Sequence, residues 1–200
     1  MIPHSSRNLL PCDGEVFYFP EFYSLEESAG IYRELLDHIE WEEKAIRIFG
    51  REVMQPRKIA WYGDPGISYT YSNLTQVTRP WTSSLLEMKR RLEEFTGKTF
   101  NSVLLNLYRS DRDSMGWHSD NEKELGKDPY IASVSFGHPR IFQLKHNDRP
   151  LKSSLLLEDG SLLIMSGATQ HFWKHQLPKR RALCGPRINL TFRLIAGDKA

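Results

Sequence analysis

The triplet His118-Ser119-Asp120 sets an imidazole and a carboxylate two residues apart. In extended backbone, residues i and i+2 project to the same side, so both groups would aim at one point. That is two thirds of the 2-His-1-carboxylate set that holds a non-haem iron and leaves further positions open. A solvated His beside a solvated Asp is the plainer reading of three residues alone, so the weight falls on what else the chain can bring to that point. Of the seven histidines, His138, His146, His171 and His175 are candidates for the second imidazole. His171 and His175 lie in one segment and would share a face if it is extended. Residue chemistry alone does not separate them.

The stretch Arg187–Leu194 alternates strictly, with Arg187, Asn189, Thr191 and Arg193 on one face and Ile188, Leu190, Phe192 and Leu194 on the other. The apolar face belongs against the core between layers, which leaves the polar face to water or to a polar cavity. In Ser102–Tyr108, Leu104, Asn106 and Tyr108 share a face in the same way. Two arginines, two asparagines and a tyrosine converging inside a barrel would bind a small dicarboxylate, because guanidinium grips carboxylate bidentately and stays charged. A 2-oxo dicarboxylic acid would also bring a chelating end to a metal held by His118 and Asp120.

Those side chains need elements to position them. Glu15–Pro20 reads as a short aromatic strand, and the capping box Ser24-Leu25-Glu26-Glu27 starts a helix through about His38 with the stripe Leu25, Ala29, Tyr32, Leu35, Leu36, Ile39. Thr78-Arg79-Pro80 opens a second helix, with Pro80 near its first position, Trp81, Leu85, Met88, Leu92 and Phe95 at helical spacing, and Gly97 as its stop. From there the period is near two: Ser102–Tyr108, Ile131–Phe136, Ile141–Leu144, Ser153–Leu157, Ser161–Met165 and Arg187–Leu194 are strands separated by turn residues. Two helices followed by a run of strands predict a mostly β fold, a double-sheet barrel or jelly roll with helices packed outside. Residues 1–14, with Pro3, Pro11 and Gly14, read as a loosely held arm, and residues 15–200 as one domain. Within it, residues 42–72 mix aromatic, basic and Gly/Pro residues and read as a lobe of short strands with turns at Gly50 and Gly63–Gly66; residues 101–195 carry the jelly-roll core. In the lobe, Ile48-Phe49-Gly50 puts apolar residues at a turn flanked by Arg47 and Arg51. This is either a buried strand end or a wedge for unstacking a base pair.

With 200 residues, 40% hydrophobic content, 26% charged and a net charge of +2, the chain can bury a core and is no polybasic tail binder; any nucleic-acid contact must be local. Cys12 and Cys184 are too few for a disulfide framework, which fits a reducing compartment and leaves a metal to His and carboxylate. No leader pattern and no apolar run of membrane-spanning length occur. The expectation is a soluble intracellular protein without membrane partners, in the cytoplasm with the nucleoid if bacterial and in the nucleus if eukaryotic. No heptad pattern is present, and a monomer is expected.

The ordered set Asn106-Leu107-Tyr108, His118-Ser119-Asp120, His175 and Pro186-Arg187-Ile188-Asn189-Leu190-Thr191-Phe192-Arg193, with Ile131–Gly137 and Gly160–Met165 between, resembles the AlkB family of Fe(II)/2-oxoglutarate dioxygenases, which repair alkylated nucleic acid. The resemblance covers about residues 42–194. The family pattern places the second metal His before a short residue–Pro step, as in His175-Gln176-Leu177-Pro178, and so favours His175. It implies a double-stranded β-helix; Fe(II) held by His118, Asp120 and His175; 2-oxoglutarate held by Arg187 and Arg193 with Asn106, Tyr108 and Asn189; and O2 as co-substrate.

Residues 48–71 look most similar to the animal homologues that act on DNA, the duplex type in particular. On that likeness Phe49 belongs to a base-displacing wedge, Arg57 to a basic turn, Tyr62, Tyr69 and Tyr71 to the wall of a base pocket, and Arg47, Arg51, Arg57, Lys58, Arg109 and Arg112 to phosphate contacts. His118 would add a stacking surface for the flipped base. Where those relatives carry a second Asp after the metal Asp, this chain has Asn121 and then Glu122. Neutral Asn offers hydrogen bonds but no charge to a cationic methylated base, a task that falls to Glu122. The implied activity is oxidative demethylation of 1-methyladenine and 3-methylcytosine in DNA, with release of formaldehyde. Competing readings are a dioxygenase of the same fold acting on RNA or protein, a silent damage-binding protein, and a cupin-like metal protein. The last gives no reason for the Arg187/Arg193 pair.

Overall fold

The computed structural model describes residues 7–48, 51–71, 74–180 and 182–196. The chain runs β1 (Glu15–Phe19), α1 (Leu25–His38), β2 (Ala45–Ile48), β3 (Arg51–Met54), β4 (Lys58–Gly63), β5 (Ser68–Tyr71), β6 (Leu74–Val77), α2 (Ser83–Thr96), β7 (Ser102–Tyr108), β8 (Met115–His118), β9 (Ile131–Gly137), β10 (Arg140–His146), β11 (Lys152–Leu157), β12 (Ser161–Ser166), one helical turn α3 (Thr169–Phe172), β13 (Trp173–Leu177) and β14 (Arg187–Arg193). Strands β1-β12-β9-β14-β7-β4 form a six-stranded sheet and β11-β10-β13-β8 a four-stranded one; β2-β3 and β5-β6 are separate hairpins. All ladders within these sheets are antiparallel. Two facing antiparallel sheets with helices outside one of them make the expected jelly roll.

The alternation of β14 explains the layering. Ile188, Leu190 and Phe192 pack with Val103, Leu105 and Leu107 of β7 and Ala132, Val134 and Phe136 of β9 against Leu35 of α1 and Leu85, Met88 and Leu92 of α2. The apolar face of the strand therefore meets the core between the sheet and the helix layer, as expected, and its polar face lines the cavity between the sheets. That interior holds a second cluster, including Leu144, Leu163, Met165 and Trp173, beside a polar cavity. Truncating a fully buried residue such as Leu190 to Ala would cost about 2–5 kcal/mol.

The helices begin and end for local reasons. Ser24 and Glu27 form the full capping box of α1, a cap of about 1 kcal/mol. Leu25, expected in its apolar stripe, is 79% exposed, and Leu36 is exposed too. Helix α2 starts later than Pro80: Thr82 is its N-cap and accepts from the Leu85 amide, because a hydroxyl at that position satisfies an amide that proline cannot. Gly97 ends it in the left-handed region at φ 67°, as expected.

Two further expectations are corrected. Residues 7–14 are held, not loose: the Asn8 side chain brackets the Leu10 and Val16 amides and the Gly14 carbonyl, and Leu10 is buried. Strand β4, read as part of the 42–72 lobe, lies at the edge of the large sheet and pairs with β7 from Lys58↔Leu107 to Gly63↔Ser102. The turn at Gly63–Gly66 is present, with Gly66 at φ 81°. Phe49 and Gly50 lie outside the described residues, as do the side chains of Arg47, Ile48, Arg51, Tyr69 and Tyr71.

Candidate active site

His118 ends β8, and its cross-strand partner on β13 is His175. The two rings meet edge to face, centroids 4.2 Å apart. Asp120 lies just past the end of β8, and one ligand atom from each of the three residues falls within 4.8 Å of the others. His118 Nδ1 donates to the Gly116 carbonyl at 2.8 Å, since a carbonyl can only accept; in the neutral ring this tautomer leaves the lone pair on Nε2 for a metal. Nδ1 of His175 is buried and without a hydrogen-bond partner. The other candidates are engaged elsewhere: His138 with Arg180, His146 with Asp13, and His171, exposed, with Asp128 and the Lys127 carbonyl.

The charges suit a cation. Burial alone would raise the Asp120 carboxyl, but Arg193, whose Nη2 donates to Oδ2 at 2.6 Å, and the two imidazoles hold it down at about 2. Burial, helped by the neighbouring His118, pushes His175 down to about 3, so its ring is neutral at physiological pH. Gln170 on α3 fixes the turn between them: its Oε1 accepts from the Asp120 amide at 2.9 Å.

The polar face of β14 supplies the far end of the same cavity, about 430 Å³ in volume. Register places Arg187 opposite Tyr108, and Asn189 between Asn106 and Ser135. Arg187 donates to Ser135 Oγ at 2.9 Å, its guanidinium lies 5.3 Å from the Tyr108 ring centre, and its Nε is buried without a partner. Burial brings its pKa down to about 10, with Tyr108 opposing the fall, so it remains a cation at neutral pH. Asn189 donates to Ser133 Oγ, and Thr191 donates to Asn189 Oδ1. Asn121 and Glu122 line the cavity beside the His–Asp–His cluster, and Glu122 Oε2 is buried without a partner.

Several sequence-based expectations are redirected. Arg57 faces the cavity and donates to Asn106 Oδ1 at 2.7 Å, rather than presenting a phosphate contact outside. Tyr62 is buried in the core that packs on the helices and its hydroxyl accepts from the Glu40 amide; its place on β4 turns it away from the cavity, which Ile59 and Trp61 of that strand line. Arg109 is bound to Asp113 through two nitrogens and to Glu43, so its charge is already compensated. Missed from the sequence were Trp61, Ser133, Ser135 and Gln170. The two serines were legible as polar positions alternating inside an apolar strand, whereas nothing in the sequence marks Gln170.

Residues 15–193 match the 2OG-Fe(II) oxygenase superfamily. The chain is 41% identical over 189 residues to bovine alpha-ketoglutarate-dependent dioxygenase alkB homolog 3, covering 90% of this chain and 65% of that one. It is 41% identical over 207 residues to mouse DNA oxidative demethylase ALKBH2, covering 98% and 84%. The chain belongs to the AlkB family of 2OG-Fe(II) oxygenases. It spans just under two thirds of the length of the bovine relative. The solved structure of OsALKBH1 superposes with a TM-score of 0.64 at 17% identity, covering 93% of this chain and 99% of that one, a likeness of fold.

Family membership implies Fe(II), 2-oxoglutarate and O2, and the AlkB-type cavity fits them. It offers a neutral imidazole, a second imidazole with a fixed tautomer, an ionised carboxylate, and a buried guanidinium with an unused donor. Among the described residues no helix is long and apolar enough to cross a membrane.

Proposed function

We propose that this chain is an oxidative demethylase of N-alkylated bases such as 1-methyladenine and 3-methylcytosine in DNA. The observation that carries the proposal is the single cavity that joins His118, Asp120 and His175 to the polar face of β14. The names of relatives about 40% identical support the substrate class.

His118, Asp120 and His175 would hold Fe(II). Arg187, with Tyr108, takes the far carboxylate of 2-oxoglutarate, and Arg193 serves the near end, where it already contacts Asp120; Asn106 and Asn189 complete the cradle. With O2, the bound iron and 2-oxoglutarate would supply the oxidising power: one oxygen atom would enter the N-methyl group to give an N-hydroxymethyl, and the other would enter 2-oxoglutarate, which would become succinate and CO2. The hydroxymethyl group then leaves as formaldehyde, and the ring nitrogen keeps the electron pair. The chain's own part is orientation. Gln170 and Ser119, whose hydroxyl donates to the Trp173 carbonyl, fix the Asp120 turn. The buried Glu122 carboxyl faces the space beside the metal ligands, where it would balance a cationic methylated ring, and Asn121 adds neutral hydrogen bonds. Tyr69 and Tyr71 stack on the extruded base, and Phe49 wedges the duplex.

The test is formaldehyde release from single- and double-stranded oligonucleotides carrying either lesion, with Fe(II) or 2-oxoglutarate singly omitted. Release should need both and vanish in His118→Ala, and a Phe49→Ala loss should be confined to duplex. Consumption of 2-oxoglutarate with no base restored would leave the cofactor site standing and reject the substrate. Restoration of methylated RNA in preference to DNA would move the substrate to RNA.

A further inference from the structure

The outward face of the four-stranded sheet carries a row of like charges. Lys145 on β10 is the registered partner of Lys152 on β11 and of Lys174 on β13. Three ammonium side chains therefore stand side by side on adjacent strands, about 4.8 Å apart at the backbone. Like charges directly across a ladder are destabilising, and no carboxylate among the described residues pairs with any of the three. Lys145 instead reaches over the exposed ring of Trp117, 4.6 Å from its centre. Apart from that one contact the row works against folding, and a ligand of opposite charge would relieve it.

Its place in the fold says which ligand. Trp117 and His118 are consecutive on β8, the edge strand of this sheet, and so project to opposite faces. His118 points to the metal cluster and Trp117 to the outside, so the row lies one sheet thickness from the reaction centre, across an open edge. Lys174 and His175 are related in the same way on β13. A polyanion whose reacting unit enters the cavity past β8 would have its neighbouring units over Trp117 and the three lysines. A row of point charges ending in a flat aromatic ring suits a chain of alternating phosphates and bases better than an acidic peptide, which has nothing to stack.

We infer that Lys152, Lys145, Lys174 and Trp117 form an outer track for the backbone of a nucleic-acid strand flanking the base in the cavity. The inference rests on the demethylase reading for its choice of polyanion. It adds a surface on the far side of the sheet from the His–Asp–His cluster.

The test compares the native chain with a Lys145→Gln/Lys152→Gln/Lys174→Gln variant and with the matching triple Lys→Arg variant. Binding of an unmodified single strand of about 16 nucleotides is measured against salt concentration, and turnover is measured on a methylated trinucleotide too short to reach the row. The glutamine variant should lose roughly tenfold or more in affinity, its log–log salt slope should flatten by about 2, and trinucleotide turnover should stay unchanged. The arginine variant should bind as the native chain does. Trp117→Ala should weaken strand binding without changing the salt slope. Unchanged affinity and slope in the glutamine variant would overturn the track. So would displacement of the strand by polyglutamate at equal charge, which would place an acidic protein there. Because the binding arm uses unmodified strands, failure of the demethylase reading shows in the turnover arm alone.

Discussion

At the scale of single residues, Arg193 has two tasks. It lies at the near end of the co-substrate cavity, and it holds the buried Asp120 carboxylate in its ionised form. Arg193→Ala should therefore abolish 2-oxoglutarate consumption and also destabilise the metal-free chain, because removing one partner of a buried ion pair leaves the other uncompensated, a loss of about 3 kcal/mol. A divalent cation at Asp120 should restore part of that loss. Urea unfolding with and without Mn(II) reads the stability, and undiminished 2-oxoglutarate turnover would revive the cupin-like reading. His175 gives the pH dependence. Its ring is depressed from an ordinary 6.5 to about 3 when folded, so between those values the unfolded chain binds a proton that the folded chain does not. The metal-free chain should be most stable above pH 6.5 and should weaken as the pH falls toward 3, at up to about 1.4 kcal/mol per unit. Asp120 adds to the loss below about 4. In His175→Gln the part of the slope between pH 6.5 and 4 should flatten; an unaltered slope there would assign it to other groups.

At the scale of elements, the arm of residues 7–14 and the strand that carries His175 are one unit. Trp173 Nε1 donates to the Cys12 carbonyl, and the backbone amides of Asp148 and Arg149 both donate to His146 Nδ1. The proton of His146 must therefore sit on Nε2, facing Asp13 at 3.2 Å. That assignment also argues against metal binding by Cys12, Asp13 and His146, since Nε2 has no lone pair to give and Arg149 already lies 3.3 Å from Asp13. Asp13→Ala strands a buried donor and should cost about 1–3 kcal/mol in urea unfolding, whereas a loose arm would make the change silent. The sequence concealed this because the arm's anchors are backbone carbonyls and short polar side chains with no periodicity. Period-two alternation, by contrast, made β7, β9, β12 and β14 legible, and with them Asn106, Tyr108, Arg187 and Asn189 on one face. Strands β8 and β13 were not legible as strands. Each is short, and each carries functional residues where an apolar alternation would stand. The choice of His175 over His171 accordingly needed the family pattern first and the register with His118 afterwards.

At the scale of the whole molecule, the candidate ligands of one small cavity come from both sheets. His118 and His175 belong to the four-stranded sheet, while Arg187, Asn189, Asn106 and Tyr108 belong to the six-stranded one, with Asp120 tied to the latter through Arg193. A metal and a 2-oxo acid that chelates it would therefore bridge the two layers, and each should bind better in the presence of the other, because coupling between sites is reciprocal. A ligand at a hundred times its dissociation constant stabilises by about 2.7 kcal/mol, which for a chain of this size raises Tm by roughly 5–10 °C. Melting should be followed in four conditions: no addition, Mn(II), 2-oxoglutarate, and both, with Mn(II) standing in for Fe(II) to avoid oxidation. The shift with both should exceed the sum of the separate shifts, and in Arg187→Ala the excess should disappear while the shift with Mn(II) alone persists. Strictly additive shifts in the native chain would mean that the two ligands do not meet, and that the arginine face of β14 and the His–Asp–His cluster serve different molecules.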